Sequence, residues 1–201
     1  MEERRLIERA GQGDEEAFEQ LVITYEKQIY NLALRMTGDR ENAFDLTQET
    51  FLKAWHAIEL FQFDSKFSTW LCRIASNTCI DYLRKQRRRQ AVSLTMLDDE
   101  SIPYEISVAD KKLDPAYIME EMQNHQTVYE ALQNLPVDYR MVLSLRAIED
   151  MSYDEIGQAL NLNPGTVKSR IARAREKMRS MLSGNFSENP SSKTKKGGMQ
   201  H

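Results

Sequence analysis

Three sets of side chains in this 201-residue chain have types and spacing that could do chemistry or grip a charged partner. Asp45, Gln48, Glu49 and Leu52 stand at i, i+3, i+4 and i+7, so a helix puts them on one outward face. Paired carboxylates can serve general acid–base catalysis or an oxygen-ligand metal site. Here they fall on a convex helix with neither a Gly-rich cradle nor a His cluster, so catalysis and metal binding are set aside. A stripe of this kind is a solvated face or a docking face. The second set is Phe61, Phe63, Phe67 and Trp70 beside Lys66, Arg73, Asn77 and the run Arg84–Arg89. Aromatic and basic residues interleaved in this way stack unpaired bases and neutralise a strand's phosphates. A loop with three phenylalanines between positions 61 and 67 cannot easily bury them all. The third set is the basic segment Pro164–Arg179, with six positive charges against one Glu.

The elements that must position these residues are helical. The period of 3.6 dominates and no long window alternates, so an all-α protein is expected. Asp14 is placed to cap a helix to about Met36, with Phe18, Leu21, Val22, Tyr25, Ile29, Leu32, Ala33 and Met36 along its inward stripe. Thr37-Gly38 stops it, and Asp39 starts a second helix to about Ile58, with Ala43, Leu46, Thr50, Ala54 and Ile58 inward. After the aromatic loop, Ser68 is expected to cap a third helix through about Arg89, turning Leu71, Ile74, Ala75, Thr78 and Tyr82 inward. Three such helices close a core of about 75 residues, a workable domain size.

Residues 90–124 show no sustained period, and residues 98–121 hold eight acids against two lysines, which reads as a linker. Helices are then expected near Gln126–Gln133 and Val137–Glu149. Ser152-x-x-Glu155 forms a capping box for the next helix, whose apolar face is Ile156, Ala159 and Leu160. Asn161-Leu162-Asn163 breaks the pattern, and Asn163 and Pro164 suit the start of a last helix. That helix turns Val167, Ile171, Ala174 and Met178 inward, and Thr166, Lys168, Ser169, Ala172 and Arg173 outward. A helix-turn-helix presents side chains to the DNA major groove in this manner. The tail from Gly184 is polar and is expected to be disordered.

Composition narrows the function. A net charge of −4 is awkward for a protein that must hold DNA alone, because phosphate neutralisation supplies most non-specific affinity. The charges are segregated, however: two basic segments flank an acidic one, a layout for DNA contact completed by a partner. Cys72 and Cys79 lie too far apart on one helix to bridge and lack companions for a metal site, so they read as buried thiols. No apolar run could span a bilayer and the N-terminus has no signal-peptide core, so a cytoplasmic protein without membrane insertion is expected. There is no Gly-x4-Gly-Lys-Ser/Thr loop to power DNA opening by nucleotide hydrolysis.

DLTQETFLKAW (Asp45–Trp55), FSTWLCRIASNTCIDYLRKQRR (Phe67–Arg88) and PGTVKSRIARAREKMR (Pro164–Arg179) resemble the characteristic segments of the extracytoplasmic-function, or group IV, sigma factors of bacterial RNA polymerase, within the sigma-70 family. The resemblance implies two helical domains joined by an acidic linker: region 2 over residues 1–90, a linker over 91–124, region 4 over 125–183, and a tail over 184–201. It implies that Asp45, Gln48, Glu49 and Leu52 dock on core RNA polymerase. Asp64, Ser65, Lys66, Phe67 and Asn77 would read and melt the promoter −10 element, with Arg84, Arg87 and Arg88 gripping its backbone. Lys168, Ser169, Ala172 and Arg173 would meet bases of the −35 duplex, and Thr166, Arg170 and Arg175 its phosphates. The linker would thread toward the RNA exit path. The partners implied are core polymerase, promoter DNA and an anti-sigma factor in a stress or envelope response. The protein would act as a single sigma subunit, with no cofactor, no metal and no enzymatic activity. Two rivals have distinct signatures. A free-standing helix-turn-helix regulator would bind a palindrome as a dimer, and a nucleic-acid enzyme would need a concave catalytic constellation.

Overall fold

A computed structural model of the chain describes residues 2–93, 127–149 and 151–187. All described regular structure is helical: α1 (Glu2–Gly11), α2 (Glu15–Thr37), α3 (Arg40–Ala57), a 3-10 turn (Ile58–Leu60), α4 (Phe67–Ser93), α5 (127–133), α6 (Val137–Glu149), α7 (Tyr153–Leu160) and α8 (Pro164–Ser187).

Helix starts and stops follow local chemistry. Asp14 accepts from the Ala17 amide at 3.0 Å, and Asp39 from the Asn42 amide at 2.7 Å. Gly38 ends α2 with φ +78°, a left-handed conformation that disfavours a side chain. A Cβ there would also stand 3.2 Å from the Gln133 side chain, so the glycine makes room for α5. Two boundaries differ from the sequence expectation. The fourth helix begins at Phe67, with the Lys66 carbonyl accepting from the Trp70 amide at 3.1 Å. Ser68 therefore lies inside the first turn rather than ahead of it. α4 reaches Ser93 and α8 reaches Ser187, past the expected ends at Arg89 and Ser183. Helix α1 was not expected at all. It is short, but it buries Ile7 and Ala10 on α2 and the 3-10 turn, and Arg9 bonds Asp14 at 2.8 Å. The expected linker beyond Ser93 and the tail beyond Ser187 lie outside the described residues.

α2, α3 and α4 pack as a three-helix unit whose centre is Leu21, Ile29, Leu32, Met36, Leu46, Ala54 and Leu71. Cys72 and Cys79 are buried free thiols, as their position on α4 leads one to expect. Burial pushes the Cys79 thiol up to about 12, so it is not a thiolate at neutral pH. The second unit packs α6 against α8 and α7 around Val142, Leu145, Ile156, Val167 and Ile171.

The two units touch. α2 meets α6, α4 meets α7, and the buried apolar cluster continues from one unit into the other. Arg140 on α6 is 8% exposed and fastens this joint. Its Nη1 donates to Met36 O at 2.6 Å and to Gln133 Oε1 at 2.7 Å, and its Nη2 donates to the carbonyls of Gln133 and, at 3.2 Å, Leu135. These acceptors lie at and just beyond the C-terminal ends of α2 and α5, where a helix leaves carbonyls without internal donors. Gln133 adds a bond from Nε2 to Arg35 O at 2.9 Å.

Candidate nucleic-acid and protein interfaces

The outward face of α3 carries the first candidate surface. Asp45, Gln48, Glu49 and Leu52 are all exposed, Leu52 at 62%. Glu49 pairs with Lys53 at 2.7 Å, and Lys53 also donates to Thr78 Oγ1 at 3.1 Å. Beside the polar stripe, Phe18, Val22, Phe44, Phe51, Leu52 and Trp55 line an apolar groove between α2 and α3. Phe44 is 51% exposed. The sequence reading saw the polar stripe and missed Phe44, one residue before Asp45. The missed signal was Phe44, Gln48 and Leu52 at four-residue steps, which sets two apolar groups on the same exposed stripe.

The aromatic loop between the 3-10 turn and α4 forms the second surface. Phe61 and Phe67 are buried, at 7% and 3%, in a cluster with Trp70; their ring centroids lie 5.3 and 5.4 Å from that of Trp70. Phe67 was expected to touch a DNA strand. Its ring is instead buried among Tyr25, Phe61 and Trp70, where it packs the base of the loop. Phe63 is the aromatic that stays out, 38% exposed, tilted at 56° against Phe61 and covered by the Arg4 guanidinium at 4.8 Å. Its φ of +60° is uncommon for a bulky residue. Asp64, Lys66 and Asn77 are exposed, and Ser65 is half-buried. Arg84, Arg87 and Arg88 extend along the exposed face of α4, with Arg84 3.8 Å from Asp81.

Lys66 is engaged with the other unit. Its Nζ stands 2.7 Å from Glu155 Oε1 on α7. The Lys66 hydrogen bond, followed by bonds from the Ser152 amide and hydroxyl, lowers the Glu155 carboxyl to about 2. The same pairing raises Lys66.

The third surface is the helix-turn-helix of α7 and α8. The capping box forms as expected: Ser152 Oγ accepts from the Glu155 amide at 3.2 Å, and Glu155 Oε2 accepts from the Ser152 amide at 2.8 Å. Asn161 takes the left-handed conformation (φ +53°), and Asn163 Oδ1 accepts from the Thr166 amide at 2.7 Å. The turn is tight because Gly157 lets Leu162 close onto it, with Leu162 N donating to Gly157 O at 2.8 Å. A Cβ on Gly157 would lie 2.6 Å from Leu162 O. Val167, Ile171 and Ala174 point into the core. Lys168, Ser169, Ala172, Arg173 and Arg175 are exposed on the opposite side, and Thr166 is half-buried. Arg170 is partly turned back, 3.7 Å from Asp138.

Residues 21–89 match Sigma-70 region 2, and residues 125–178 match Sigma-70, region 4. The ECF RNA polymerase sigma factor SigW of Bacillus subtilis is 38% identical over 181 residues, covering 89% of this chain and 96% of that protein. The chain belongs to the ECF sigma factors of the sigma-70 family. The RNA polymerase sigma-H factor of Pseudomonas aeruginosa is 39% identical over 176 residues, 87% of this chain and 91% of that one. Among solved structures, CnrH in complex with the cytosolic domain of CnrY is similar, with a TM-score of 0.66, 28% identity and coverage of 92% of this chain and 99% of that chain.

As a sigma factor the chain recognises promoters, and its partners are core RNA polymerase and promoter DNA. Its two domains bring the expected residues together in three groups. The α3 residues share one open face, the loop and α4 residues share a second, and the α8 residues share a third. Phe67 lies buried beneath the second group, and Phe44 is exposed beside the first. Among the described residues no group of three or more His, Cys, Asp or Glu gathers as metal ligands would, and no helix is long and apolar enough to cross a membrane.

Proposed function

We propose that this sigma factor docks on core polymerase through α3, captures the melted −10 strand with its aromatic loop and α4, and reads the −35 duplex with α8. The observation that carries this reading is the segregation of three chemically distinct faces. The α3 face is apolar with a carboxylate stripe, suited to a protein helix. The loop and α4 offer Asp64, Ser65, Lys66 and Asn77 around a sealed aromatic base, with Arg84, Arg87 and Arg88 for phosphates. The α8 face offers Lys168, Ser169, Ala172 and Arg173 to bases, with Thr166, Arg170 and Arg175 beside the backbone. Domain limits of 1–90 and 125–183, with a linker over 91–124 directed toward the RNA exit path, complete the assignment.

Melting in this scheme draws on capture of flipped bases rather than on nucleotide hydrolysis. Polymerase supplies the bulk of the DNA grip, which accommodates the net charge of −4. Holding both readers on one scaffold converts the second recognition event into an intramolecular one. The chain works as a single non-enzymatic subunit in the cytoplasm. Control by an anti-sigma factor during a stress or envelope response completes the scheme, and the similar solved structure is of CnrH in complex with a second protein, the cytosolic domain of CnrY.

The test mixes the purified chain with core polymerase and follows co-elution, then promoter-selective run-off transcription. Wild type is expected to co-elute, and a Gln48→Ala, Glu49→Lys double variant to lose most of that binding. Specific binding of a palindromic duplex by a dimer of the free chain, without polymerase binding, would overturn the assignment.

A further inference from the structure

The proposed −10 face already has one intramolecular contact. α7, the first helix of the helix-turn-helix, packs against α4. Gln158 of α7 and Asn161 just after it line one hollow together with Gln62, Asp64 and Ser65 of the aromatic loop and Arg73 of α4. Within this contact Glu155 reaches Lys66 at 2.7 Å. On the other side of the joint, Arg140 and Gln133 bond the terminal carbonyls of α2. The −35 face is treated differently: Lys168, Ser169, Ala172 and Arg173 are exposed. The closed chain thus engages one cation of the proposed −10 reader, Lys66, and leaves the base-facing residues of the proposed −35 reader without such a contact.

Resting on the function proposed above, we propose that Glu155 is an internal stand-in for a −10 phosphate, holding Lys66 until the domains part. The free chain is then self-competed for single strands while its −35 reader stays available. A carboxylate suits the role because it is an anionic oxygen acceptor at the same distance from an ammonium as a phosphate oxygen would be. It is also held ready. Glu155 Oε2 is fixed by the Ser152 amide and hydroxyl at 2.8 and 2.9 Å, which leaves Oε1 aimed at Lys66. The carboxylate therefore spends little further side-chain entropy in making the contact. The raised Lys66 and lowered Glu155 ionisations agree with a pairing that favours both charges. The pair is exposed on the Lys66 side, so it is weak enough for DNA to displace it.

Glu155→Gln separates the latch from the fold, because Gln at this position still completes a capping box while losing the charge. Binding of fluorescein-labelled single-stranded dT12 to the full chain is measured by anisotropy, alone and with saturating core polymerase. The variant is expected to bind about two- to fivefold tighter than wild type in the free chain, and equally once polymerase is bound. A second readout is the distance distribution between spin labels on Glu19→Cys and Glu176→Cys, exposed sites in the two domains. Glu155→Gln is expected to enlarge the population at long distance. No tightening in the free chain, or an equal tightening with polymerase bound, overturns the latch. If the wild-type chain on polymerase takes up no strand, the −10 assignment itself fails and the latch falls with it. If it does take up strand while the free variant matches wild type, only the latch fails.

Discussion

Two faces of the first domain meet their partners under different physics. The α3 face is apolar, carrying Phe44 and Leu52 half or more exposed, and is bare of any other element among the described residues. The proposed −10 face is polar and charged, and the second domain meets it at Lys66. An apolar face gains from water release wherever a complementary surface arrives, so it can wait uncovered on a small patch without binding the wrong ion. A charged face attracts any anion and is quieted by a weak, exchangeable counter-charge. On the proposed assignment the difference separates tasks: docking is always available, and strand capture is conditional.

The strongest way to break this comparison is to spoil the apolar side. Phe44→Ser with Leu52→Glu is expected to weaken core-polymerase binding more than about thirtyfold, as loss of central apolar anchors does. A loss below threefold in a direct binding titration would move the dock elsewhere. The joint itself comes next. Arg140→Ala leaves the carbonyls of Met36, Gln133 and Leu135 short of a donor and should lower stability by about 2–3 kcal/mol in thermal unfolding. Arg140→Lys should not restore it, since one ammonium cannot span acceptors that a planar fork reaches. Gly157→Ala sharpens the other half of the comparison. Its Cβ would collide with Leu162 O, and a cost of about 1–3 kcal/mol with weakened −35 duplex binding is expected. Unchanged unfolding would mean that the turn relaxes freely.

The smallest effect is the pH signature of the latch. Glu155 is lowered from 4.5 to about 2, so its folded form releases its proton more readily than the unfolded one. Its contribution is therefore complete above about 4.5 and is lost as pH falls toward 2. The melting-temperature gap between wild type and Glu155→Gln should be constant at neutral pH and shrink through that window. A gap that persists at pH 2 would contradict the pairing.

Much of this was legible in the sequence because it is local. Capping by Asp14, Asp39, Ser152 and Asn163 depends on residues at most three positions away, and each bond is present. The inward stripe of α8 is likewise a matter of helical spacing. What escaped was non-local. Helix α1 has few residues, and its stability comes from packing on α2 rather than from its own propensity. Phe67 looked like one more exposed aromatic, since nothing near it in the chain announces that Tyr25, Phe61 and Trp70 converge on it. Arg140 carries no local signal in the sequence. Its role at the joint depends on one carbonyl, that of Met36, 104 residues upstream, which no period or motif records.

Arg140 also sets how the joint comes apart. Separation removes Met36 O from the guanidinium, yet Gln133 and Leu135 remain as acceptors within the same domain, and water takes over the freed carbonyl. No helix has to melt and no buried cation is stranded. The barrier to opening is then one of wetting a seam, with a time scale of domain motion, microseconds to milliseconds, rather than that of unfolding. A polymerase surface that captures the open form could do so without waiting for the fold to loosen.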